Sequence, residues 1–200
     1  MMFKSTTSDA TRGAVGIGTL IIFIAFVLVA AIAAVTVVDT ADILQSTAQQ
    51  TGSEATSQVS NQIVVNSVSG NVTGAETIDE VSINIMASAG ADDIDMSQAT
   101  IEFIGTNGQA VLTYDDLGPA AGDTFNIAAY KDDDASMPVI NQRSDRAEVQ
   151  MVFDATAAGA PLPEGDDVTV RIQTASGSTS TVTFQVPETL DSKSGSIFLK

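Results

Sequence analysis

The chain has 200 residues, 44% of them apolar, and carries 8 Lys+Arg against 25 Asp+Glu for a formal net charge of -17. A domain-sized length with this charge excludes nucleic-acid binding, which rests on neutralising phosphates with Lys and Arg, and it also repels anionic lipid headgroups. Cysteine and histidine are both absent, which removes disulfides, thiolate chemistry, the commonest general base and the commonest metal ligand, so an enzyme is not expected and no cofactor is implied.

The first 13 residues are a polar leader whose two basic residues are Lys4 and Arg12. Ala14 to Val38 follows without a single charge. At about 1.5 Å per residue it exceeds the roughly 20 residues that span a bilayer, and it is too long for the usual secretory-signal core. Ala31-Ile32-Ala33 does match the small-x-small pattern of ordinary signal cleavage, which keeps a secreted alternative open. The run has no polar face, so a buried core helix fits poorly. The basic leader orients a membrane helix with its N-terminus in the cytoplasm and the acidic bulk outside.

Two features go beyond a plain anchor. Arg12-Gly13 precedes the apolar run, where a residue without a side chain allows an extended backbone to enter a protease cleft. The run is also dotted with small residues, Ala14, Gly16, Gly18, Ala25, Ala30, Ala31, Ala33 and Ala34, which allow helix backbones to approach closely. Beyond Val38, Ala41, Leu44, Ala48, Ala55, Val59 and Ile63 recur at mostly three- and four-residue spacings, interrupted near Gly52, and predict a continuing amphipathic helix to about Asn61.

From residue 62 the period changes to two. Val81/Ile83/Ile85, Ile101/Phe103, Leu112/Tyr114, Val149/Met151/Phe153, Val168/Val170/Ile172 and Val182/Phe184/Val186 alternate with polar or smaller residues. Asn107-Gly108 signals a hairpin, and residues 157–167 a longer loop. The fold class expected is α+β: a long N-terminal hydrophobic helix followed by an antiparallel β-sandwich or barrel, Ig-like, of seven or eight strands. The domain division is 1–13 leader, 14–61 helix and 62–200 β-domain.

Possible sites are few. Asp92, Asp93 and Asp95 are weak candidates for Ca²⁺, but the Gly and terminal Glu of an EF-hand loop are missing and a solvated acidic loop is the default. Asp132-Asp133-Asp134 reads as a surface turn. Arg143, Arg146 and Arg171 are scarce cations for which ordinary ion pairs within the domain are the default, with pairing between subunits as the alternative. Asn71-Val72-Thr73 is the single N-glycosylation sequon.

"RG" followed by "AVGIGTLIIFIAFVLVAAIAA" resembles the class III (prepilin-like) signal of the archaellins, the archaeal flagellins, of haloarchaeal type. The similarity continues through residues 44–61 and 89–105. It implies cleavage between Gly13 and Ala14 by a prepilin-peptidase-like enzyme that recognises Arg12 and Gly13, with Gly16 at the third mature position. Gly18 stands where bacterial type IV pilins carry Glu, a departure that fits archaellins. The resemblance implies a structural subunit stored in the membrane, then polymerised, alone or with other archaellins, into an extracellular motility filament through Gly18, Ala25, Ala30, Ala31, Ala33 and Ala34. An archaeal adhesion pilin and a membrane-anchored β-sandwich binding module are the alternatives, and a hydrolase is remote.

Overall fold

The computed structural model describes residues 7–72, 76–106, 108–118, 123–153, 161–190 and 195–200, with side chains from Arg12 onward. The chain divides into two compact units, Met1–Gly52 and Ser53–Lys200.

A single helix, α1, runs from Thr7 to Ser60, 54 residues or about 80 Å. It starts seven residues before the Ala14 start expected from the sequence, because nothing between Thr7 and Gly13 breaks a helix that propagates backward from the apolar run. The Thr hydroxyls inside it bond back to their own turn: Thr19 donates to the Gly16 carbonyl at 2.8 Å, Thr36 to Ala33 at 2.9 Å and Thr40 to Thr36 at 2.7 Å. Each polar side chain satisfied this way can enter an apolar medium without a lost hydrogen bond. The helix ends where Asn61, largely buried, accepts the Asp92 amide at 3.0 Å on its Oδ1. Ile63, expected to close the amphipathic helical pattern, instead opens the first strand and is 4% exposed.

The strands are β1 (Ile63–Val72), β2 (Ile78–Ala87), β3 (Ile94–Asp95), β4 (Thr100–Gly105), β5 (Gly108–Tyr114), β6 (Thr124–Lys131), β7 (Val139–Ile140), β8 (Arg146–Val152), β9 (Asp167–Gln173), β10 (Thr179–Gln185) and β11 (Ser196–Phe198). A 3-10 turn, Met96–Gln98, follows β3. Nine strands form one sheet in the order β10-β9-β4-β5-β6-β8-β2-β1-β11, and β3 pairs with β7 separately. The sheet curls until β10 reaches β1, where the Ser180 hydroxyl donates to the Ile63 carbonyl at 2.5 Å. The expected sandwich or barrel is thus built mainly by one sheet folding over itself.

Alternation places the core. Val81, Ile83 and Ile85 of β2 and Val149 and Met151 of β8 are all fully buried, with Phe103 packed against Phe153 in a tilted arrangement at 4.5 Å between ring centroids. The expected hairpin joins β4 to β5, but Gly108, expected in the turn, is instead the first residue of β5 and stands opposite Gly105; Asn107 lies outside the described residues. The pairing is antiparallel throughout except between β5 and β6. A tight hairpin cannot join parallel neighbours, and residues 115–123 make the longer connection. Of the loop expected at 157–167, residues 157–160 lie outside the described residues, while Leu162 is buried and bridges to Ile78.

Candidate assembly surface

Val, Ile, Leu and Phe dominate both the helix and the β-sheet, yet their environments differ. In α1, Phe26 is 70% exposed, Val37 68% and Ile32 67%. The helix is apolar on every side of this stretch, so turning one face toward a partner cannot cover it. Something must surround it, either lipid or other helices.

The small residues are not scattered evenly around that cylinder. Ala14, Gly18 and Ala25 follow steps of four and seven and share one face. Ala30, Ala34, Ala41 and Ala48 step by four, seven and seven along the opposite face. Gly16 falls on that second face, whereas Ala31 and Ala33 flank it. A Cβ built on Gly13, Gly16 or Gly18 would meet nothing within 4 Å, so backbone is open to a neighbour at these points. Close backbone approach at small residues is what drives helix association where lipid and protein are equally apolar.

Arg12, Gly13, Ala14 and Gly16 all lie within α1 and, Gly16 included, face solvent. Gly13, Gly16 and Gly18 each weaken the helix locally by about 1 kcal/mol relative to Ala.

The remaining candidates separate. Asn71 is exposed on β1 beside the edge strand β11, and its Nδ2 donates to Glu80 Oε2 at 3.5 Å; Thr73 of the sequon lies outside the described residues. Asp95 caps the 3-10 turn, accepting from the Ser97 amide at 2.9 Å, the Ser97 hydroxyl at 2.6 Å and Gln98 Nε2 at 2.7 Å. These donors, the Ser97 hydroxyl first, hold its carboxyl below the ordinary value of 3.8. Among the described residues, no group of three acidic side chains converges as a metal site would require. Arg171 of β9 pairs with Glu102 of β4 at 2.5 Å, directly across the strands. Arg146 instead donates from Nη1 to the Arg143 and Asp145 carbonyls at 2.9 and 2.8 Å.

Sequence reasoning missed the outer face around β6 and β8. Its signal was faint: two irregular strand segments, Val65-Asn66-Ser67 and Ala129-Tyr130-Lys131, where a residue is inserted into the ladder.

The family model for archaeal-type flagellin matches residues 13–184. The chain is 42% identical over 193 residues to flagellin B1 of Halobacterium salinarum, covering 96% of this chain and 97% of that protein. Flagellin A2 of Haloferax volcanii is 36% identical over 213 residues, covering 96% of each. The fold is similar to that in the structure of the archaeal flagellum of Methanospirillum hungatei, with a TM-score of 0.70 at 15% identity over 92% of this chain and 99% of that one.

Proposed function

The chain belongs to the archaeal-type flagellin family, and from that premise we propose that it is made as a precursor, held in the membrane by α1, cleaved after Gly13 and polymerised through the freed helix. It is a structural subunit of the archaellum filament, serving motility, and not an enzyme. The adhesion-pilin alternative is not favoured by a family match that spans the helix and most of the β-domain.

One observation carries the assembly proposal: an uncharged cylinder from Ala14 to Val38 whose large side chains are all at least half exposed. Lipid covers it before assembly and copies of itself cover it afterwards. Transfer from lipid to helix bundle gains little from hydrophobicity, so close packing on the small-residue faces supplies the drive. The two sides of such a contact differ, and a repeat that does not close into a ring grows as an open filament. The residue ranges 1–13, 14–61 and 62–200 then serve as leader, filament-core helix and outer domain. Exposure of Asn71 on β1 supports it as a glycan acceptor once the domain is outside the cell.

N-terminal sequencing of purified filaments tests this. The expected first residue is Ala14. A start at Ala34, after the Ala31-Ile32-Ala33 pattern, means an ordinary secreted protein and ends the proposal.

A further inference from the structure

The outer domain holds a place where cations are left over. From Asp39 onward the chain has 6 basic and 24 acidic residues, so each cation has acids to choose from. Arg171 takes Glu102 in an ion pair. Lys131 and Arg146 stand directly opposite each other on β6 and β8, and neither forms one.

Three of the nearby acids are turned into their own loop. Asp132 accepts the Asp134 and Met137 amides at 3.2 and 3.1 Å. Asp134 accepts the side-chain amides of Asn141 and Gln142 at 3.0 and 2.9 Å. Asp145, fully buried, accepts the backbone amides of the same two residues at 3.2 and 2.8 Å. Glu148 shares the outer face with Arg146, two residues along β8, without pairing to it.

Beside these cations lies a groove of about 210 Å³ lined by Asn66, Ser67, Asn84, Tyr130 and Arg146. Asn66 and Tyr130 are the inserted residues at the irregularities of β1 and β6. An inserted residue re-aims its side chain, and here two of them border one groove. Tyr130 is 72% exposed, an aromatic surface beside positive charge.

The complementary shape exists elsewhere on the domain. After β5 the chain turns through Asp115-Asp116-Leu117, where Leu117 at 92% is the most exposed large apolar side chain described. Two hydrogen bonds hold the turn: Asp115 Oδ1 accepts the Leu117 amide at 3.0 Å, and the Asp115 carbonyl accepts Asn126 Nδ2 at 2.8 Å. That anchor at Asn126 lies five residues from Lys131 along β6, about 16 Å, beyond what a Leu side chain can reach.

We propose that the Asp115-Asp116-Leu117 turn of one subunit docks in the Tyr130–Arg146 groove of a second copy, with Leu117 on the Tyr130 ring and Asp116 meeting Lys131 and Arg146. This contact rests on the filament reading above. Knob and groove are different surfaces, so the contact propagates instead of closing a dimer. At molar salt the Debye length is about 3 Å; repulsion between acidic domains is screened while charges in direct contact still attract.

The absence of native cysteine makes the test clean. Chains carrying Leu117→Cys with Tyr130→Cys are assembled into filaments, oxidised and run without reductant. A ladder of covalent multimers is expected from the double variant, with single variants staying monomeric. Mixing the two single variants should give covalent dimers only. As a second measurement, Lys131→Glu should lower filament yield several-fold and added Asp116→Lys should restore it. Normal filaments without a ladder and without a charge-swap effect overturn the contact alone. Failure of the cysteine-free parent to form filaments overturns the filament reading and the contact with it.

Discussion

Two stretches of similar greasiness behave in opposite ways. In β2, Val81, Ile83 and Ile85 are fully buried within the chain; in α1, Ile21, Phe23 and Val27 stay at least half exposed. Residue type does not separate them. Period does: alternation by two lets a strand hide one face in its own domain, whereas an apolar run with no polar side leaves a helix that one small domain cannot enclose. The β-domain is thus complete within one chain, and the helix is completed only by its surroundings.

The largest break of this comparison comes at Gly13→Val. It adds a branched side chain at the proposed scissile bond and leaves the apolar run intact. The expected outcome is a full-length precursor retained in membranes and no filaments, read by immunoblot and electron microscopy. Normal processing of this variant removes Gly13 from the recognition site.

Next is the helix contact itself. Ala30→Leu with Ala34→Leu improves membrane partitioning and keeps helix propensity high. It also pushes backbones apart on one face, at about 1–3 kcal/mol per overpacked contact. Cleavage and insertion should match the parent while filaments become few or fragile. The flanking Ala31→Leu should do less, and equal loss from both would show that the Ala30–Ala34 face is not the one that packs.

How much of this is readable in the residues follows the same division. The sequence places the helix end at Asn61 and it lies at Ser60, because the change of period is abrupt. Strands β2, β4, β5, β8, β9 and β10 stand where alternation is clean. By contrast β1 is not legible as a strand, since the register shift between Val65 and Ser67 breaks its alternation. Its first residue also happens to continue a helical spacing. In β6 only Phe125 and Ile127 alternate before Ala128 and Ala129 blur the contrast, and β11 has three residues. The assembly candidates in α1 are legible because composition alone marks them. The groove beside Tyr130 is not, because it depends on two strands far apart in sequence meeting across β8 and β2.

A smaller and wholly local effect is expected in the β-domain. Ile83 is fully enclosed, and Ile83→Ala leaves a cavity costing about 2–5 kcal/mol. Denaturant unfolding of the β-domain should shift accordingly, while membrane insertion of α1 is untouched. Loss of insertion together with loss of the fold would show that the two regions are not independent in the way their burial suggests.

The smallest effect sharpens the comparison from the acidic side. Asp95 is ionised and held so by three donors, which depress its folded pKa below the 3.8 of a free carboxyl. A depressed folded value means that the unfolded chain takes up the proton first as pH falls. The stabilisation is therefore fully present above pH 3.8 and disappears as pH falls through the lower, folded value. The side chain is mostly open to solvent, so water and salt screen the effect and the loss is modest. Asp95→Asn removes the titration while leaving a side chain that still caps the turn. Thermal melts of the β-domain from pH 5 to pH 2 should show a slightly shallower acid limb in the variant than in the parent. The helical stretch from Ala14 to Val38 carries no titratable group and contributes nothing to that limb. A parent and variant with superimposable acid limbs would mean that the Ser97 and Gln98 bonds to Asp95 do not persist in solution.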